Sequence, residues 1–179
     1  MKGKTIFIIL LVLLVIGVSV VGYFWLSRGV NRFNPESELH IGDLAPDFSV
    51  QLLTGETFTL SDHRGMVVVL DFWATWCAPC VAKMPTMQAL SEQFADSVIF
   101  VGINVGESRN RVHAFIDERG FTFPIGVDES NYIHRNLYPS PGVPYMVVIN
   151  GDGVVTATFL GGGDGMEETY EKAILDALR

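Results

Sequence analysis

The chain has 179 residues, 49% of them apolar and only 18% charged, and carries a formal net charge of −8. All 20 acidic residues but only eight of the 12 Lys/Arg follow residue 34. That part, at net −12, repels phosphate backbones and is no nucleic-acid binder. Two cysteines in a chain this long and this apolar also exclude a disordered protein, a coiled coil, a collagen-like fibre and a disulfide-dense mini-protein.

The apolar excess sits at the start. Ile6 to Leu26 holds no charged side chain. At about 1.5 Å per residue a helix of that length crosses a hydrocarbon core of about 30 Å. Tyr23 and Trp25 fall at its far end, where aromatic rings favour the headgroup boundary. Lys2, Lys4 and the amino terminus precede the run; Arg28 and Arg32 follow it. This bias favours a cytoplasmic amino terminus. A cleaved signal peptide is the alternative, with a shorter apolar region and a small-residue cleavage site, which Val20 to Trp25 does not offer. Both arrangements deliver the remainder across the membrane. The expected organisation is a cytoplasmic 1–5, a spanning anchor 6–26, a polar tether 27–40 and one domain over 41–179.

Within that domain, Phe48 to Leu52 alternates in period two and turns through Thr54-Gly55-Glu56 into Thr57 to Leu60, a predicted hairpin. Val67 to Trp73 is a continuous β-branched and apolar run suited to a strand buried on both faces. A helix follows from about Cys77 to Phe94, with Pro85 expected to kink it. Val98 to Asn104 is a second central strand, and Ser108 to Arg119 a helix stopped by Gly120. A short strand within Phe121–Val127 and a short helix over Ser130–Leu137 come next. Tyr145–Ile149 and Val154–Phe159 flank Asn150-Gly151-Asp152-Gly153, a second hairpin signal. Glu167 to Leu178 closes the chain as a helix with Tyr170, Ile174 and Leu178 expected on its inner face. Alternating strands and helices imply an α/β domain.

Both cysteines lie in Trp76-Cys77-Ala78-Pro79-Cys80, where the central strand gives way to the helix. A helix amino terminus offers unpaired N–H groups and partial positive charge, so a thiol there ionises more readily. Pro79 suits the first helical turn, and the i, i+3 spacing lets the sulfurs meet. Three readings compete. A structural staple closing so short a loop stabilises weakly. A zinc site wants four ligands, and His40, His63, His113 and His134 show no paired spacing; they read as surface or packing residues. Reversible redox exchange fits the strand–turn–helix context best. Gly161 to Gly165 lacks the lysine of a phosphate loop and reads as an ordinary loop.

The run Asp71-Phe72-Trp73-Ala74-Thr75-Trp76-Cys77-Ala78-Pro79-Cys80 resembles the active-site signature of the thioredoxin superfamily. Together with the anchor, Ala45-Pro46-Asp47-Phe48 and the extra segment before Pro144, it resembles the membrane-tethered TlpA/ResA-type thiol–disulfide oxidoreductases over about Ile41 to Leu178. The resemblance implies a thioredoxin-like α/β fold with a central mixed sheet, an N-terminal hairpin and a central insertion. It assigns Cys77 as the attacking and Cys80 as the resolving thiol, with no metal or organic cofactor. It makes Asp71 a buried acid; in so apolar a run its pKa should rise and let it accept the Cys80 proton. The other reading of Asp71 is a structural acid paired with Lys83. A cis-proline is implied at Pro144, presenting the Val143 backbone to a bound peptide, with Trp76, Ala78 and Pro79 as further substrate contacts. Trp73 is expected in the core and Trp76 exposed.

Two positions depart from the pattern. Ala78 stands where TlpA/ResA-type proteins often carry an acid, and Tyr145 where Thr is more usual after the proline. A peroxidase pattern P-x-x-x-T-x-x-C would need Pro and Thr where Leu70 and Ala74 stand. The expected activity is reduction of protein disulfides outside the cytoplasm, apocytochrome c among them, with electrons from a membrane thiol donor. The alternatives are an envelope oxidase or isomerase, and a non-catalytic redox-sensing adaptor.

Overall fold

The computed structural model of the protein describes residues 39–162 and 165–179. The expected cytoplasmic segment, the spanning run Ile6–Leu26 and almost all of the tether lie outside the described residues, as do Gly163 and Asp164. Among the described residues no helix is long and apolar enough to cross a membrane.

A two-stranded hairpin, β1 (Ser49–Gln51) and β2 (Thr57–Thr59), leads through a 3₁₀ turn at Leu60–His63 into β3 (Val67–Trp73). Then follow α1 (Ala78–Gln93), β4 (Val98–Val105), α2 (Arg109–Arg119), β5 (Ile125–Asp128), a π-helical turn (Ile133–Leu137), β6 (Tyr145–Ile149), β7 (Val155–Leu160) and α3 (Glu167–Ala177). The sheet order is β5-β4-β3-β6-β7. β3 pairs parallel with β4, and β4 with β5, whereas β6 runs antiparallel to both β3 and β7. This is the thioredoxin-like α/β fold with its mixed central sheet.

Every residue of β3 is buried, which is why its sequence is apolar without alternation. At Gly102 of β4 a side chain would make its neighbours shift. A Cβ there would stand 2.8 Å from Ile125 Cδ1 and 3.2 Å from Trp73 Nε1. Gly120 ends α2 in the left-handed region at φ 72°, where a side chain costs energy. Pro85 lies within α1, which continues past it to Gln93.

The turn after β5 is set by one side chain. Asp128 is buried, and its carboxylate accepts from the backbone N–H groups of Tyr132, Ile133 and His134 and from the Ser130 hydroxyl. The expected short helix is therefore confined to Ile133–Leu137. In α3 the inner face is Tyr170, Ile174 and Ala177, whereas Leu178 is exposed. At about 100° per residue, Ala177 falls roughly 20° from Tyr170 around the helix and Leu178 roughly 80° away.

Candidate redox site

β3 ends at Trp73, and the chain turns through Ala74, Thr75 and Trp76 before α1 begins at Ala78. Cys77 is the capping residue of α1: its backbone is extended and its Sγ accepts from Cys80 N–H at 3.3 Å. The two sulfurs are bonded to each other, with Cα atoms 5.2 Å apart. Cys77 keeps 4% of its surface exposed and Cys80 none. Its neighbours Trp76, Ala78 and Pro79 are all exposed, Trp76 at 66%, so the disulfide edge lies just beneath the surface of this turn. Trp73 is buried against Phe115, the opposite of Trp76.

Across from the pair, the Val143–Pro144 peptide is cis. The Val143 carbonyl oxygen lies 3.6 Å from Cys77 Sγ. Pro144 is buried and its carbonyl accepts from Gly161 N–H, which ties the glycine-rich loop to the site. The structure thus brings Cys77, Cys80, Val143 and Pro144 together at one surface turn.

Asp71 lies on β3, buried, with its carboxylate 2.5 Å from Lys83 Nζ of α1, itself 2% exposed. Lys83 stands 5.8 Å from the centroid of the Tyr170 ring. Burial pushes the Asp71 carboxyl above the usual aspartate range, and the charge and hydrogen bond of Lys83 oppose that rise without cancelling it. Asp71 is therefore both a raised acid and the partner of Lys83.

A second carboxylate was not singled out in the sequence. Glu107, just past β4, is 8% exposed and faces the turn that leads to Cys77. It accepts from Thr75 N–H at 2.7 Å and from the Thr75 hydroxyl at 2.6 Å. Asn104 Nδ2 donates to it at 2.9 Å, and Arg111 Nε pairs with it at 2.9 Å. Burial acts to raise its pKa, but these donors and the Arg111 charge outweigh burial and hold it below the ordinary glutamate value. The available signal was Asn104-Val105-Gly106-Glu107: polar residues at the carboxyl end of a central parallel strand, where α/β sheets place their crevices. Among the histidines, His40 and His113 are exposed, His63 stacks on Phe58, and His134 is buried.

A cysteine disulfide at a helix amino terminus, facing a cis-proline at the end of two inner strands of a mixed sheet, defines a thiol–disulfide oxidoreductase of thioredoxin fold. Comparison with known proteins agrees. The chain is 36% identical to the thiol–disulfide oxidoreductase ResA of Geobacillus kaustophilus over 154 residues, 86% of this chain and 84% of that one. It is 38% identical over 115 residues to the thioredoxin-like protein YneN of Bacillus subtilis, 63% of this chain and 68% of that one. The crystal structure of a putative thiol:disulfide interchange protein DsbE from Chlorobium tepidum superposes with a TM-score of 0.74 at 33% identity, covering 79% of this chain and all of that one. The family model described as AhpC/TSA matches residues 41–158, and the chain belongs to that family, among its ResA- and DsbE-type thiol–disulfide oxidoreductases.

Proposed function

We propose that this protein is a membrane-anchored reductase of protein disulfides working outside the cytoplasm, with Cys77 and Cys80 as its only redox group. The observation that carries the reading is the asymmetry of the pair. Cys77 caps the helix, retains exposure and sits beside the Val143 backbone, whereas Cys80 lies one turn inside and is fully covered.

In the dithiol form the helix terminus favours the Cys77 thiolate. That thiolate attacks one sulfur of a substrate disulfide, giving a mixed disulfide and releasing the other substrate sulfur as a thiolate. Asp71 takes the Cys80 proton, directly or through water, and the Cys80 thiolate attacks Cys77 Sγ. The substrate leaves with both sulfurs reduced, and the pair ends as the Cys77–Cys80 disulfide. Two electrons pass from the pair to the substrate. A membrane thiol carrier restores the dithiol, since the compartment itself is oxidising.

The substrate lies across Trp76, Ala78 and Pro79, with its main chain against Val143 and Pro144. The uncharged run Ile6–Leu26 supports anchoring at the membrane, with residues 41–179 on the outer side. Apocytochrome c and other envelope protein disulfides are the acceptors that fit, and the ResA-type relatives support the class.

A redox titration of the pair tests the direction of flow. A midpoint near that of thioredoxin, roughly −270 mV, supports the reductase; one near that of DsbA, roughly −120 mV, refutes it in favour of an oxidase. A protein inert in dithiothreitol-coupled insulin reduction refutes catalysis itself.

A further inference from the structure

The loop before Pro144 is held by a side chain that the exchange chemistry does not use. His134 is buried in the π-helical turn with its ring 5.6 Å from that of Phe72. Its Nε2 lies 2.8 Å from Ser140 Oγ, and Ser140 Oγ donates to the Gly142 carbonyl at 2.7 Å. The direction of this chain is fixed by its members. A carbonyl only accepts, and a serine hydroxyl has one proton, which goes to Gly142; His134 Nε2 must then carry the hydrogen given to Ser140.

That tautomer leaves Nδ1 bare, and Nδ1 is buried with no partner among the described residues. Burial lowers the imidazole pKa, with Asp128 opposing and Arg135 adding to the effect, so the neutral ring is favoured. A leucine would fill the space beside Phe72 with no unpaired nitrogen to desolvate. A buried polar atom with no partner needs a reason, and here it lies at the other nitrogen of the ring.

Gly142 and Val143 are joined by a trans peptide, the cis bond being the next one along. In a planar trans peptide the C=O and N–H point to opposite sides. Holding the Gly142 carbonyl on Ser140 therefore fixes the Val143 N–H on the other side. That N–H has no acceptor among the described residues, and Val143 is half-buried at the site's edge. We infer that His134 and Ser140 form a positioning relay that aims the Val143 N–H at the main chain of a protein substrate, as one strand meets another. This rests on the reading of Val143 as a docking edge, and it assigns specificity for peptide-bearing disulfides to residues that touch neither sulfur.

Ser140→Ala and His134→Leu, made in the full chain, are compared on insulin and on hydroxyethyl disulfide, which has no main chain to pair. KM for insulin should rise about tenfold in each, the factor that corresponds to about 1.4 kcal/mol, with kcat little changed. Rates on the small disulfide should stay at the wild-type level. The double variant should be no worse than the poorer single one, and His134→Gln, which keeps an N–H donor, should recover part of the loss. An unchanged insulin KM in both single variants, with the wild type active, overturns the relay and leaves the oxidoreductase reading standing. Parallel losses on both substrates overturn it as well, as a collapsed loop. A wild type that turns over the small disulfide but not insulin overturns the docking-edge reading and the relay with it.

Discussion

Replacing Glu107 by Gln removes one charge and turns one acceptor into a donor, at a point where four donors meet two oxygens. Thr75 N–H and Asn104 Nδ2 share Oε2; the Thr75 hydroxyl and Arg111 Nε share Oε1. Whichever way the new amide turns, one of these two pairs faces an NH₂ instead of a lone pair. Hydrogen bonds to a charged group contribute about 1.5–3 kcal/mol each, and a buried donor stripped of its acceptor costs a similar amount. Arg111 is mostly exposed and water replaces its share, so its contribution is small. The expected loss is about 2–4 kcal/mol, a large part of a typical total of about 5–15 kcal/mol. Urea unfolding of the oxidised protein measures it, as a lower midpoint at unchanged slope. The pH dependence is an independent check. Glu107 has a depressed pKa in the folded state, so its contribution is present above the ordinary glutamate value and is lost as pH falls through its own lower value. The gap between wild type and variant should therefore narrow on acidification. A loss below about 1 kcal/mol, or a gap that stays constant down to acid pH, would refute the clamp.

Asp71→Asn should slow resolution of the mixed disulfide about a hundredfold in single-turnover kinetics at neutral pH, the low end for a general base; unchanged kinetics would remove Asp71 from the mechanism. Because its folded pKa is raised, Asp71 contributes most below the ordinary aspartate value and progressively less as pH rises through its folded value, so Asp71→Asn should also flatten that decline. Lys83→Met leaves burial unopposed at Asp71, and the pH profile of resolution should move upward by about 1–3 units; an unmoved profile contradicts the pairing. Cys80→Ser should trap a covalent complex with a protein disulfide, visible on a non-reducing gel, and Cys77→Ser should trap none. Gly102→Ala should cost about 1–3 kcal/mol by thermal or urea unfolding, since its methyl would collide with Ile125 and Phe123.

The parts of the molecule that were legible from sequence are those whose cause is local. β3 and β4 are buried on both faces, so their apolar runs announce them, and the C-x-x-C motif carries its own helix terminus. Pro144 was legible through resemblance alone. The Glu107 clamp was not, because it joins residues 32 apart through side-chain directions that no periodicity encodes. The same holds for His134, whose role depends on Ser140 and on which way one peptide plane faces. In α3 the i, i+4 spacing put Leu178 on the inner face, and Ala177 takes that place because it falls closer to Tyr170 around the helix. Asp71 is joined to Lys83 across strand and helix while burial still raises its pKa, a pairing between elements that no local pattern encodes.

The two halves of the site hang from neighbouring strands. β3 delivers the cysteine turn and β6 begins directly after Pro144, with Phe72 and Tyr145 opposite each other in the ladder. Within the 65 residues between Cys77 and Val143, Glu107 pins the turn that leads to Cys77 and Ser140 pins the loop that leads to Pro144. Strand pairing thus sets how far the proline stands from the sulfurs, whatever the path of the chain that joins them.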